Sequence, residues 1–101
     1  MNFTQPDFNN YTIYSKSGCY YCTKVKELLQ NENPTPIIIN CDEYLFDDKE
    51  GFLQFIEKIS GVSYRTFPIV FHKCKFIGGY NETKKYYEES NINFNENTMK
   101  F

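Results

Sequence analysis

The chain has no apolar run of about 18 residues, so no segment reads as a membrane-spanning helix. It has no excess of positive charge either. Eleven Lys and Arg face 13 Asp and Glu, for a net charge of −2 and a pI near 5.3. That argues against a nucleic-acid module, which needs a basic surface. The N-terminus lacks a basic start followed by an apolar stretch, so no secretory signal and a cytoplasmic location are expected. Internal repeats are absent. Tryptophan is missing altogether, although ten Phe and nine Tyr make the chain rich in aromatics. Cysteine occurs four times. In a non-secreted chain, four cysteines read as redox or metal chemistry rather than as a disulfide framework. The length of 101 residues fits one domain around one core.

The chemistry concentrates in Tyr14-Ser15-Lys16-Ser17-Gly18-Cys19-Tyr20-Tyr21-Cys22. A β-branched and aromatic run precedes the two cysteines. An amphipathic run follows them, with Cys22, Val25, Leu28 and Leu29 at helical spacing. A strand, a tight turn and a helix opening on C-x-x-C is the layout of a thiol-redox site. Gly18 supplies the flexible turn and Ser17 is the expected helix cap. A helix N-terminus carries partial positive charge and unpaired N–H groups, which favour a thiolate over a thiol. Lys16 adds a nearby cation. Cys19 is therefore the candidate nucleophile. Cys22, one turn into the helix, is the candidate resolving thiol that attacks a mixed disulfide.

Along the chain, residues 1–10 read as an N-terminal arm that packs through Phe3 and Phe8. A first strand over 11–15 and a helix over 19–31 follow. Pro34 and Pro36 end that helix, since proline cannot continue one. The run Ile37-Ile38-Ile39 reads as a strand covered on both faces. Cys41 reads as a small apolar residue at its end. A second helix over 49–60 carries a core stripe of Phe52, Phe55, Ile56 and Ile59, and Gly61 ends it. Residues 69–71 and 74–77 are expected to pair as an antiparallel hairpin through a His72-Lys73 connection. Cys41 and Cys74, at strand positions, are expected to be inert buried thiols. Gly78-Gly79 makes a turn, Asn81 is a candidate N-cap, and a last helix is expected over 82–90. The Asn-rich residues 91–101 read as a mobile tail. The order is β-α-β-α-β-β-α, an α/β chain with one mixed sheet and helices on both faces. Its core spans about residues 11–90.

The segment Tyr14-Ser-Lys-Ser-Gly-Cys-Tyr-Tyr-Cys22 resembles the active-site segment of glutaredoxins. Gly61-Val-Ser-Tyr-Arg-Thr-Phe-Pro-Ile-Val-Phe71 resembles the family segment that ends in Thr-x-Pro before a central strand. Phe76-Ile-Gly-Gly-Tyr-Asn81 resembles the Gly-Gly segment that opens the last helix. The three stretches stand in the family's order and cover about residues 11–90. The resemblance implies a thioredoxin-like fold with a central four-stranded mixed sheet flanked by helices. It implies a dithiol enzyme that reduces protein disulfides and glutathione mixed disulfides. Glutathione would be the co-substrate, with no tightly bound cofactor.

Glutathione carries two carboxylates and one ammonium group. The resemblance assigns Lys16 to its glycine carboxylate, Tyr21 to a place beside the thiol, and Thr66 and Phe67 to its cysteinyl backbone. Pro68, with a cis bond to Phe67, would face the cysteines. Gly79, Tyr80 and Asn81 would receive the γ-glutamyl end, where a helix N-terminus can bind a carboxylate. Arg65 is a further candidate carboxylate partner. Tyr20, Tyr21, Phe67 and Tyr80 are candidates for a contact surface around the thiol. Two departures stand out. Tyr20 occupies a position where the family often has Pro. Asn81-Glu82 stands where the family often has Asp.

A monomer is expected, and ribonucleotide reductase is one candidate protein substrate. An alternative from another class is a [2Fe–2S] binding protein, ligated by Cys19 of two subunits and two glutathiones. A third is a structural zinc site of Cys19, Cys22, His72 and Cys74. The His-x-Cys half of that set is an unusual zinc pattern.

Overall fold

The computed structural model describes residues 2–99, with residues 91–99 described by their backbone course. Seven elements follow in the expected order. They are β1 (Tyr11–Ser15), α1 (Tyr20–Leu28), β2 (Ile37–Asn40), α2 (Asp42–Ser60), β3 (Ile69–His72), β4 (Lys75–Gly78) and α3 (Tyr80–Met99). The strands form one sheet in the order β2-β1-β3-β4. β1 pairs with β2 in parallel and with β3 antiparallel, and β3 pairs antiparallel with β4.

Alternation along the strands splits the core between two faces. Tyr14, Ile69 and Phe71 point to one side, where Phe52, Leu53 and Ile56 of α2 bury them. Tyr11, Ile13 and Val70 point to the other side, where Val25 and Leu29 pack. Tyr80, Tyr86 and Tyr87 of α3 join that second cluster. Both faces are therefore covered by helices.

Helix α2 is helical from Asp42 rather than from residue 49. The earlier turn is interrupted at Asp48, whose φ of −157° and ψ of 68° are extended. The Asp48 carboxylate accepts the Gly51 N–H at 3.1 Å, as an N-cap does for the helix that restarts after it. The expected start at 49 thus marks the restart. Gly61, at φ 83°, closes α2 in the left-handed region and donates its N–H to Glu57 O at 2.8 Å.

Several expectations are corrected. The triple-isoleucine strand β2 is an edge strand, not one covered on both faces. Ile37 is 40% and Ile38 52% exposed. An apolar run reads alike at a sheet's centre and edge, and only the strand order separates the two cases. Helix α1 is shorter than 19–31: Leu29 caps it, and the chain turns off through Gln30 N–H to Glu27 O and Glu32 N–H to Leu29 O. The hairpin turn is Lys73-Cys74, both at positive φ, so His72 belongs to β3 and Cys74 to the turn. Cys74 is exposed rather than buried. Cys41 is fully buried as expected, but it lies at the N-cap of α2 rather than on a strand. Of the arm, Phe3 packs its ring against Tyr44, Phe52 and Phe55. Phe8 is 82% exposed, so the arm does not pack through it. Helix α3 begins at Tyr80 and runs to Met99, beyond the expected span of 82–90. Of the expected tail, residues 100 and 101 lie outside the described residues.

Candidate active site

The loop 16–19 leaves the C-terminal end of β1 and turns directly into α1. Gly18 makes the turn at φ +68°, a conformation that costs glycine nothing. The helix cap is Cys19, not Ser17. Cys19 has extended backbone, and its Sγ accepts the Cys22 N–H at 3.2 Å. One of the unpaired N–H groups of the first turn is thus aimed at the sulfur. That contact sets a backbone donor against the sulfur at the positive end of the helix dipole. The Cys19 thiol also lies 3.7 Å from the Phe67 carbonyl oxygen.

Ser17 has another partner. Its N–H donates to Asp42 Oδ1 at 2.9 Å, and its hydroxyl donates to Asp42 Oδ2. These bonds hold the Asp42 carboxyl below the usual carboxylate range, and Lys16 adds to the effect. The register explains the meeting. Ser15 is level with Asn40 in the parallel β1–β2 pair, so residues two further on in each chain are neighbours. The sequence reading missed Asp42. Its available clue was an acidic residue two positions after a strand expected to lie parallel to β1.

Cys22 is 1% exposed beneath Cys19, and Cys19 is half-buried. Burial pushes the Cys22 thiol up, and its hydrogen bond with Cys19 adds to this. The two sulfurs therefore stand in unequal environments: one half-buried on a helix terminus, the other covered and holding its proton.

Beside Cys19 opens a cavity of about 280 Å³, lined by Tyr21, Tyr64, Thr66, Phe67, Gly79, Tyr80, Asn81 and Glu82. Tyr21 and Tyr80 stack at 5.7 Å between ring centroids and form one wall. Tyr20 meets Tyr21 edge-on at 5.1 Å and is 67% exposed. Phe67 stacks on buried Phe52 at 6.2 Å, which ties the opposite wall to the core. The Phe67–Pro68 bond is cis, and Pro68 is buried behind the wall. The Lys16 ammonium lies 5.6 Å from the Phe67 ring centroid, so it flanks this wall from outside the lining.

At the far end, Glu82 Oε1 accepts the Gly79 N–H at 2.8 Å and the Tyr64 hydroxyl at 3.3 Å. Glu82 reaching back to the residue before α3 is half of a capping box. Gly79 offers no side chain to cap the helix, so Asn81 is not the N-cap; it stands within the first turn. Tyr64 was missed by the sequence reading. Its clue was an amphipathic ring two residues before Thr66.

Arg65 is not among the residues lining the cavity. Its guanidinium pairs with Glu50 at 2.6 Å on the surface. The four residues of the zinc reading are not brought together, and no metal-binding group of three or more His, Cys, Asp or Glu occurs among the described residues. Cys74 directs its thiol to the Pro6 and Asp7 carbonyls. His72 shares a hydrogen bond with the Tyr86 hydroxyl at 2.7 Å, and burial lowers its pKa.

A family model described as Glutaredoxin matches residues 11–77. The chain is 35% identical over 77 residues to glutaredoxin-C5, chloroplastic, of Arabidopsis thaliana; the match covers 76% of this chain and 42% of that protein. It is 31% identical over 84 residues to glutaredoxin-2, mitochondrial, of Homo sapiens, covering 83% of this chain and 49% of that one. The chain spans about half the length of the curated relatives it matches. Among solved structures, the buckwheat glutaredoxin–glutathione complex superposes with a TM-score of 0.66 at 27% identity, over 81% of this chain and 71% of that one.

Proposed function

Because the chain belongs to the glutaredoxin family of the thioredoxin-like superfamily, we propose that it is a glutathione-dependent thiol–disulfide oxidoreductase acting on protein disulfides and glutathione mixed disulfides. The observation that carries this is the Cys19 sulfur, held at a helix N-terminus by the Cys22 N–H and opening beside the cavity lined by Thr66, Phe67 and Gly79.

On a glutathione mixed disulfide, the Cys19 thiolate attacks the glutathione sulfur. The old S–S bond breaks, the substrate thiolate leaves and takes a proton from water, and a Cys19–glutathione disulfide forms. A second glutathione thiolate attacks that glutathione sulfur. Glutathione disulfide leaves and Cys19 returns as the thiolate. On a protein disulfide, Cys19 forms a mixed disulfide with one substrate sulfur. Cys22 then loses its proton and attacks Cys19, which releases the substrate dithiol and leaves a Cys19–Cys22 disulfide. Two glutathiones reduce it. The inequality of the two sulfurs suits these roles, because the half-buried, more accessible one attacks and the fully covered one resolves.

In this reading Thr66 and Phe67 offer backbone groups to the cysteinyl part of glutathione, in strand fashion. Lys16 is near enough to the Phe67 wall to meet the glycine carboxylate. Tyr21, with Tyr80 stacked on it, borders the bound thiol. The first turn of α3 at Tyr80 and Asn81 receives the γ-glutamyl carboxylate. Among the described residues of the lining Glu82 is the one charged side chain, and it meets the ammonium. That the similar buckwheat glutaredoxin is a glutathione complex supports glutathione as the ligand. Arg65, engaged by Glu50, is left out of it. A reducing compartment holding glutathione is required, and we assign the cytoplasm.

The test is turnover with glutathione on a small glutathione mixed disulfide, beside a protein disulfide. Cys19→Ser should be inactive on both. Cys22→Ser should keep much of the activity on the mixed disulfide and lose the protein disulfide. Equal loss in both variants on the mixed disulfide would overturn the assignment.

A further inference from the structure

We propose that Tyr64 is a positioning residue of this site: its hydroxyl holds the Glu82 carboxylate where it meets the ammonium of the γ-glutamyl end, and so sets the preference for glutathionyl disulfides. The inference rests on reading the cavity as the glutathione site.

Glu82 carries its charge on a flexible arm at an exposed position of α3. Left free, that arm would lose rotamer freedom whenever it met a ligand. Here two donors from different parts of the fold grip one oxygen, Oε1. One is the Gly79 N–H at 2.8 Å, and the other is the Tyr64 hydroxyl at 3.3 Å. Among the described residues no cation forms an ion pair with Glu82.

The Tyr64 hydroxyl is itself fixed from elsewhere. Its ring packs edge-on against Phe76 of β4 at 5.2 Å and joins the core cluster that holds Phe71. The carboxylate is thereby referenced to the sheet, which also carries Phe67 and Pro68 into the site. Burial pushes the Tyr64 hydroxyl up, so it remains a protonated donor at neutral pH. Gly79 is fitted to the same arrangement. A Cβ there would come 2.5 Å from the Tyr64 oxygen, and only glycine lets that hydroxyl reach the helix start.

A pinned carboxylate lowers the ordering cost of binding an ammonium, which is preorganisation. It does nothing for a ligand that lacks the ammonium. The prediction is therefore one of selectivity rather than of general activity.

The experiment compares two mixed disulfides in single turnover with pre-reduced protein. One carries glutathione, and the other carries N-acetylglutathione, which keeps both carboxylates and loses the ammonium charge. The parent should favour the first. Tyr64→Phe should cut that preference by about two- to tenfold, the range of one modest hydrogen bond. The change should fall in the half-saturating concentration rather than in the limiting rate. Glu82→Gln should cut it at least as far. The double variant should go no further than Glu82→Gln, because the hydroxyl acts through that carboxylate. Glu82→Asp keeps the charge on a shorter arm and should also lose preference, which gives a second reading if Tyr64→Phe folds poorly.

If the parent discriminates and Tyr64→Phe discriminates equally, the role of Tyr64 is overturned and the glutathione site stands. If the parent shows no preference at all, the ammonium site fails and the Tyr64 inference fails with it.

Discussion

Phe52→Ala joins the packing of this chain to its site most directly. Phe52 is fully buried in the cluster between α2 and the sheet. Its ring meets Phe3 at 5.5 Å, Tyr44 at 5.4 Å, Tyr14 at 5.9 Å, and Phe55 and Phe67 at 6.2 Å each. Removing it costs the transfer free energy of the ring and leaves a cavity among rigid neighbours, a combination worth about 3–5 kcal/mol for Phe→Ala. A small domain has only about 5–15 kcal/mol of stability in all. At roughly 4–8 °C per kcal/mol for this size, the midpoint should fall by about 12–40 °C. Phe52→Leu refills part of the space and should cost visibly less. The assay is thermal unfolding of the reduced protein by far-ultraviolet circular dichroism. Phe67 also loses the ring it stacks on, so a folded Phe52→Leu protein should show a raised KM for glutathione substrates. A fall below about 5 °C in Phe52→Ala would refute the hub role, since a filled and rigid site cannot lose a phenyl ring so cheaply.

Alkylation of the reduced, folded protein should label exposed Cys74 readily and spare Cys41, whose thiol burial pushes up to about 12; rapid labelling of Cys41 without unfolding would contradict its burial. Lys16→Gln should raise the KM for glutathione substrates by roughly 1.5- to fivefold, as expected of an exposed ion pair, and the difference should shrink as salt rises; an unchanged KM at low salt would remove Lys16 from the site. The Asp42 carboxyl lies below its ordinary range because Ser17 bonds to its charged form. Its contribution is therefore present at neutral pH and fades as pH falls below about 4, where the carboxylate protonates. The stability gap between the parent and Asp42→Asn should accordingly close on acidification, and a gap that stayed constant from pH 7 to pH 2.5 would show that the Ser17 anchor does not depend on that charge.

Much of this protein was legible in its sequence because it depends on neighbours along the chain. Two cysteines three apart after a strand place one sulfur on the helix terminus and the other one turn inside it, by local geometry alone. Phe52, Phe55, Ile56 and Ile59 face one way by helical period alone, and Gly61 ends that helix because its φ of 83° suits glycine. What tertiary structure decided are the partners brought together from distant parts of the chain. Ile37 and Ile38 look like interior residues, yet strand order leaves β2 at an edge. Ser17 could have capped its own helix, but the parallel register offers it Asp42. Arg65 stands beside the site in sequence and pairs with Glu50 instead. Tyr64 and Glu82 are 18 residues apart and meet only because β4 packs the Tyr64 ring beside the start of α3. Local propensity fixes which way a side chain faces along its own element. Which donor meets which acceptor across elements is set by the register and packing of the whole sheet.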